Sequence, residues 1–182
     1  MPISPKPGST NKPPEALLPP DLRFSVSLNL QQRSVSKSLK KKSEALSIFI
    51  CAEDRPLAQL TLEPLDTRYV VPECLVNLNR LRKKTGLYGM GLAVVLTSGV
   101  HYQWWGEGLG AALYAKAAQV AWDRWGAAIC YNVCLRPEYA KTSPSTSPKA
   151  LRVWGSRSFK LYVISAIDPS APVAVWRGCL AE

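Results

Sequence analysis

The stretch that most constrains the fold is residues 87–134, which begins "LYGMGLAVVLTSGVHYQWWGEGLGAALYAKAAQVAWDRWG" and continues "AAICYNVC". A nearly continuous apolar segment ends near Val100, a glycine-rich turn follows, then a helical repeat, then a second apolar segment. A strand that is apolar on both sides belongs inside a sheet. Leu109, Leu113, Ala117, Val120 and Ala121 share one face of a helix of about four turns. Gly126 stands just past its last turn, where a left-handed residue commonly ends a helix. Strand, turn, helix and strand in this order predict an α/β chain built on one mixed sheet.

Upstream, "LRFSVSLNL" alternates Leu22, Phe24, Val26, Leu28 and Leu30 with polar residues, the period of a half-buried strand. "ALSIFICAEDRPLAQLTLEPL" reads as two strands around the turn Glu53-Asp54-Arg55-Pro56. "CLVNLNRLRK", with Leu75, Leu78 and Leu81 three apart, predicts a short helix. Downstream, Ser147-Pro148 has the chemistry of an N-cap followed by proline at the first helical position. It opens a second helix over "KALRVWGSRSF", after which "KLYVISAI" and "VAVWRGCL" read as closing strands. Residues 1–21 hold Pro2, Pro5, Pro7, Pro13, Pro14, Pro19 and Pro20. Proline removes backbone donors, so this segment is expected to be a disordered or extended arm ahead of a domain spanning 22–182.

Charge and cysteine bound the function classes. Lys and Arg number 23 against 13 Asp and Glu, a formal charge of +10 that favours acidic partners without bearing on fold. The basic run "RSVSKSLKKK" contains Arg33, Lys37, Lys40, Lys41 and Lys42 and no acid. It reads as a solvated loop or helix face, with an anion-binding patch for nucleic acid or an acidic protein as the sharper alternative. Arg80, Arg82, Lys83 and Lys84 form a second cluster. Cys51, Cys74, Cys130, Cys134 and Cys179 lack the paired spacing of a zinc site or disulfide framework, and His101 is the sole histidine. Buried free thiols in a reduced, cytoplasmic protein are the expectation, with no metal. No apolar run approaches bilayer length, so no membrane partner is expected.

The glycine turn carries the chemistry. Glycines ahead of a helix let an anion approach the unpaired N–H groups of the first turn, where the helix dipole is positive. The loop has no Lys-Ser/Thr for a Walker A motif, and Ala111 or Leu113 stands where GxGxxG needs its third glycine.

"VHYQWWGEGLGAALY" resembles the acetyl-CoA loop of the GNAT superfamily of N-acetyltransferases, whose pattern is Arg/Gln-x-x-Gly-x-Gly/Ala. Gln103-x-x-Gly106-x-Gly108 matches that pattern literally. The flanking residues favour the register with Val100 as strand end, Trp105 in the Arg/Gln position, and Gly108 and Gly110 as the paired small residues. "ALRVWGSRSF" is similar to the family's Ala-Leu-x-x-Tyr-x-x-x-Gly-Phe helix, with Trp154 at the tyrosine and Ser158 at the glycine.

The resemblance implies a GNAT-like fold, one mixed β-sheet flanked by helices, with acetyl-CoA held at Val100, Trp105, Gly106, Gly108, Leu109 and Gly110. It also implies transfer of acetyl to a primary amine. Such transfer needs a base for the amine and a proton for the leaving thiolate. Glu63, with Asp66 beside it at the hairpin's end, is the nearest base, and Tyr139 or Tyr131 could replace the missing tyrosine. Glu107 reads as an exposed loop residue and His101 as structural. Trp104, Trp122 and Trp125 are expected to pack or to line the cleft. The rival readings are a catalytically inactive GNAT-like module that binds nucleic acid or a nucleoprotein through its basic segments, and a structural protein that engages an assembly through its arm.

Overall fold

The computed structural model describes residues 13–36, 39–131, 152–153 and 173–174. It is an α+β fold on one mixed sheet, whose strands are β1 (Leu22–Ser36), β2 (Leu39–Ala52), β3 (Arg55–Leu65), β4 (Gly91–Val100), β5 (Ala127–Tyr131) and β6 (Val173–Ala174). They lie side by side in sequence order. β1 to β4 are antiparallel neighbours, β4 and β5 are parallel, and β6 returns antiparallel to β5. A parallel pair needs a crossover of a dozen or more residues. Helix α2 (Leu109–Trp125) supplies it, while α1 (Pro72–Thr85) lies between β3 and β4.

The alternation of β4 and β5 sorts the two helices onto opposite faces. Ala93, Val95, Ala127 and Ile129 join α2 in one core, together with Ile48, Ile50, Leu60 and Leu62. Leu92, Val94, Ala128 and Cys130 join Cys74, Leu78 and Leu81 of α1 in the other. β4 is therefore apolar on both sides because both sides are covered, as the sequence predicts. Of the predicted α2 stripe, Leu109, Leu113, Ala117 and Ala121 are at most 1% exposed, and Val120 is partly buried against the same core. Gly126 ends α2 in the left-handed conformation (φ 57°), its N–H returning to Ala121 O and Trp122 O. The β2–β3 hairpin turns at Glu53-Asp54, with Glu53 itself left-handed (φ 52°).

Three expectations change. The segment through Pro20 is not wholly an arm: Pro14–Leu17 form a 3-10 turn, Pro14 is buried, and Leu17 and Leu18 pack against the α2 core. Proline at the start of a tight turn has φ pre-set, and two leucines behind it give the turn something to bury. The described part of the basic run is strand, with 33–36 continuing β1 and 39–42 beginning β2, Arg33 opposite Lys41 and Ser34 opposite Lys40. Cys74 is in a disulfide, whereas Cys51 and Cys130 are free and buried, so the free-thiol expectation holds for two of these three. Pairing depends on which side chains the fold brings within reach, which spacing does not report. The second helix is described only at 152–153, which are helical; most of its predicted length and the strand "KLYVISAI" lie outside the described residues, as do residues 1–12.

Two ion pairs fasten α2 to its surroundings. Lys116 Nζ bonds Glu15 Oε1 of the N-terminal turn at 2.5 Å and lies 5.5 Å over the Phe24 ring. At the other end, Glu44 of β2 accepts from Trp125 Nε1 and Arg124 Nη2, each at 3.3 Å. Burial pushes the Glu15 carboxyl up, but the Lys116 bond, its own backbone amide and the Lys116 charge together bring it below the ordinary value. The Trp125 and Arg124 bonds likewise lower the Glu44 carboxyl. A carboxyl lowered in the fold stabilises above its unfolded value, about 4.3, and loses that contribution as pH falls through the folded value. The urea midpoint is therefore expected to fall from pH 6 to pH 3, and a Glu15→Gln/Glu44→Gln chain should show a flatter profile. An unchanged profile in the double variant would remove these two pairs from the acid response.

Candidate functional site

The loop between β4 and α2 is held by its own backbone. β4 closes with the N–H of His101 donating to Leu57 O at 2.8 Å, which anchors the loop to β3. Residues Tyr102–Trp104 form a 3-10 turn, with the N–H of Trp104 donating to His101 O at 2.9 Å and that of Trp105 to Tyr102 O at 3.2 Å. The Trp105 side chain then reaches back, its indole Nε1 donating to Val100 O at 2.8 Å. That bond closes the loop over the end of the strand and leaves Trp105 57% exposed beside exposed Tyr102. His101 is also exposed, its ring 4.6 Å from that of Tyr102.

The three glycines do different work. Gly106 (φ 91°) and Gly108 (φ 76°) are left-handed, and a Cβ at either would meet nothing within 4 Å. Backbone conformation, not crowding, demands glycine there. Gly110 is the reverse: its φ is ordinary, but a Cβ would stand 3.1 Å from Val153 Cγ2. It lets the first turn of α2 approach the helical residues 152–153.

Gly108 is the N-cap of α2 and offers no side chain to the first-turn N–H groups. The amides of Leu109, Gly110 and Ala111 precede the first intrahelical bond, from the N–H of Ala112 to Gly108 O at 3.1 Å. Leu109 is 1% exposed and anchors this turn in the core, while Gly106, Glu107 and Gly108 are exposed. The result is an uncapped helix N-terminus behind two left-handed glycines, with no described atom within 4 Å of where a Cβ at either would stand, a suitable seat for an anion.

β4 itself is irregular on the way to the loop. Its register against β3 shifts between Leu62↔Val95 and Thr61↔Thr97, so Leu96 is an extra residue, a β-bulge. The described pairing with β5 ends at Val95↔Tyr131, beside that bulge. Beyond it, on the α2 side, Ser98 Oγ and the Tyr114 hydroxyl share a 3.0 Å hydrogen bond, with Tyr114 only 4% exposed. The helix repeat places Tyr114 on the buried face, but nothing local signals that its hydroxyl meets β4.

Glu63 is 6% exposed on β3, opposite Val94 and so on the face that α1 covers farther along the sheet. That face carries a row of hydroxyls through the register Ser27↔Ser47↔Thr61↔Thr97. Ser47 and Thr61 share a 3.4 Å bond and Asn29 Nδ2 donates to Ser47 Oγ at 3.3 Å. By strand rise, Glu63's register lies about 20 Å along β4 from Val100, so the carboxyl and the glycine loop are not adjacent. Asp66 is a cap: it accepts from the Arg68 N–H at 2.9 Å and pairs with the Arg68 guanidinium at 2.7 Å. Tyr139, Trp154, Ser158 and Phe159 lie outside the described residues, as does Lys37, and Tyr131 is described only as the end of β5. Burial pushes the Cys130 thiol up to about 12, so no thiolate nucleophile forms there near neutrality. Trp104, Trp122 and Trp125 pack against the two cores, in keeping with expectation.

Among the basic residues of α1, Arg82 is occupied, donating from Nε and Nη2 to Met90 O at 2.9 and 2.5 Å. Arg80, Lys83 and Lys84 are exposed. No helix among the described residues is long and apolar enough to cross a membrane. Comparison with models of known protein families, with characterised proteins and with solved structures returns no match to this chain, so its candidate site rests on its own geometry.

Proposed function

We propose that the chain binds acetyl-CoA at the β4–α2 loop and transfers its acetyl group to a primary amine, in the manner of the GNAT superfamily it resembles. The observation that carries this reading is the uncapped N-terminus of α2 behind left-handed Gly106 and Gly108. A pyrophosphate is a dianion with several acceptor oxygens, and the first-turn amides of α2 are donors at the positive end of a dipole. Among the described residues, neither glycine is crowded at its Cβ position, which leaves the backbone approachable by such a group. The Leu96 bulge adds support, since it interrupts the regular pairing of β4 with β3 on the way to the loop.

When bound, the cofactor supplies a thioester as acyl donor. The chain's own parts would then act as follows. Backbone amides of residues 108–111 hold the pyrophosphate, and the Trp105 indole, locked to Val100 O, keeps the loop in the receiving conformation. Gly110 positions α2 through its contact with Val153 rather than through space left for phosphate. Glu63, 6% exposed on β3 opposite Val94, would be the carboxylate that takes a proton from the amine, at a register remote from the anion seat. That separation is what an extended pantetheine arm requires between its pyrophosphate and its thioester.

Titration calorimetry of the intact chain with acetyl-CoA tests the reading directly. Saturable heat is expected, with a rise in Tm at excess cofactor. Absence of both at millimolar acetyl-CoA would overturn the proposal.

A further inference from the structure

We infer that the far half of the β1–β2 hairpin is a basic two-stranded ribbon that docks on duplex DNA through its phosphate backbone. β1 and β2 pair from Leu22↔Ala52 out to Ser36↔Leu39. β3 accompanies β2 only from Leu46↔Leu62 onward. Among the described residues, the strands beyond Ala45 therefore pair only with each other, a ribbon continuing about 20 Å past the sheet at the usual strand rise. Arg33, Lys40, Lys41 and Lys42 all fall on this ribbon, and residues 31–43 contain no acid.

The register places these residues on both faces of the ribbon. Arg33 sits opposite Lys41 on one face, while Lys40 opposite Ser34 and Lys42 opposite Gln32 belong to the other. A two-stranded ribbon alone is marginal in water, and like charges placed directly opposite weaken it further. An anionic partner removes that penalty. A flat anionic surface meets one face of a ribbon, whereas a groove walled by phosphates meets both. The major groove of B-DNA is about 12 Å wide and admits a two-stranded ribbon, while the deep, narrow major groove of duplex RNA does not. The partner this placement fits is thus double-stranded DNA, bound without reading sequence.

Fluorescence anisotropy of the intact chain with a labelled 24-base-pair duplex, without acetyl-CoA, tests the inference independently of the proposed transferase activity. Four phosphate contacts predict a log–log salt slope near −3.6, or about 50-fold weaker binding between 50 and 150 mM NaCl. A Lys40→Gln/Lys41→Gln/Lys42→Gln chain should retain its Tm and lose only about 3-fold over the same range. A Lys83→Gln/Lys84→Gln chain, altered on α1, should keep the full slope. No binding at 50 mM NaCl, an unchanged slope in the ribbon variant, or an equal fall in the α1 variant would each overturn the inference. So would tighter binding to duplex RNA or single-stranded DNA of the same length.

Discussion

A Gly108→Glu chain is expected to bind acetyl-CoA at least about 100-fold more weakly than the unaltered protein while remaining folded. Two effects act together. Gly108 is at φ 76°, where an L-residue is strained by about 1–2 kcal/mol. The new carboxylate would also stand at the N-cap, where it satisfies the first-turn amides itself and repels a second anion. Two like charges about 4 Å apart near a protein surface repel by roughly 4 kcal/mol, more than the 2.7 kcal/mol that a 100-fold change represents. Gly126→Ala is the matched control, because Gly126 is also left-handed (φ 57°) with nothing near its absent Cβ. It should lower Tm through backbone strain and leave acetyl-CoA affinity within about 2-fold, being at the opposite end of α2. If Gly108→Glu binds normally by calorimetry, the anion seat is elsewhere.

The largest effect on stability is expected from Leu113→Ala, at about 3 kcal/mol. Leu113 is 1% exposed in the core between α2 and the sheet, amid Ala112, Ala117 and Ala121. A face already rich in alanine has little side-chain volume with which to close a cavity, so the loss should lie well inside the leucine-to-alanine range. Against a typical domain stability of about 5–15 kcal/mol, that is a substantial fraction. Urea unfolding should show a lower midpoint with an unchanged slope. Val76→Ala, at a position 48% exposed on α1, should change stability by no more than about 0.5 kcal/mol. Equal losses at the two positions would contradict the placement of the core.

Much of the candidate site was legible before the structure, for local reasons. The stripe Leu109, Leu113, Ala117, Ala121 is a period, and periods survive folding because they follow from the geometry of one helix. Glycine at 108 and 126 marks left-handed conformations that other residues rarely adopt. The same signal failed at Gly110, whose need for glycine comes from Val153, more than forty residues away. Asp66 read as a possible base because a carboxylate at a strand end has no local signature of its partner, which proved to be Arg68. Tyr114 went unnoticed as a polar group, since its hydroxyl acquires meaning only when β4 brings Ser98 alongside.

By itself the sequence determined the strand–glycine loop–helix–strand unit of residues 91–131 and the burial of α2's apolar face. Both depend on residue spacing and backbone preference within a few turns of chain. The tertiary structure alone decided that the described part of the basic run is a paired ribbon, because strand pairing depends on a register between segments rather than on either segment's composition. It likewise decided that the proline turn at Pro14–Leu17 packs on α2, and that Cys74 is oxidised while Cys51 and Cys130 are not. Each of these is a meeting of residues distant in sequence, and such meetings are set by the closure of the whole sheet and its two cores.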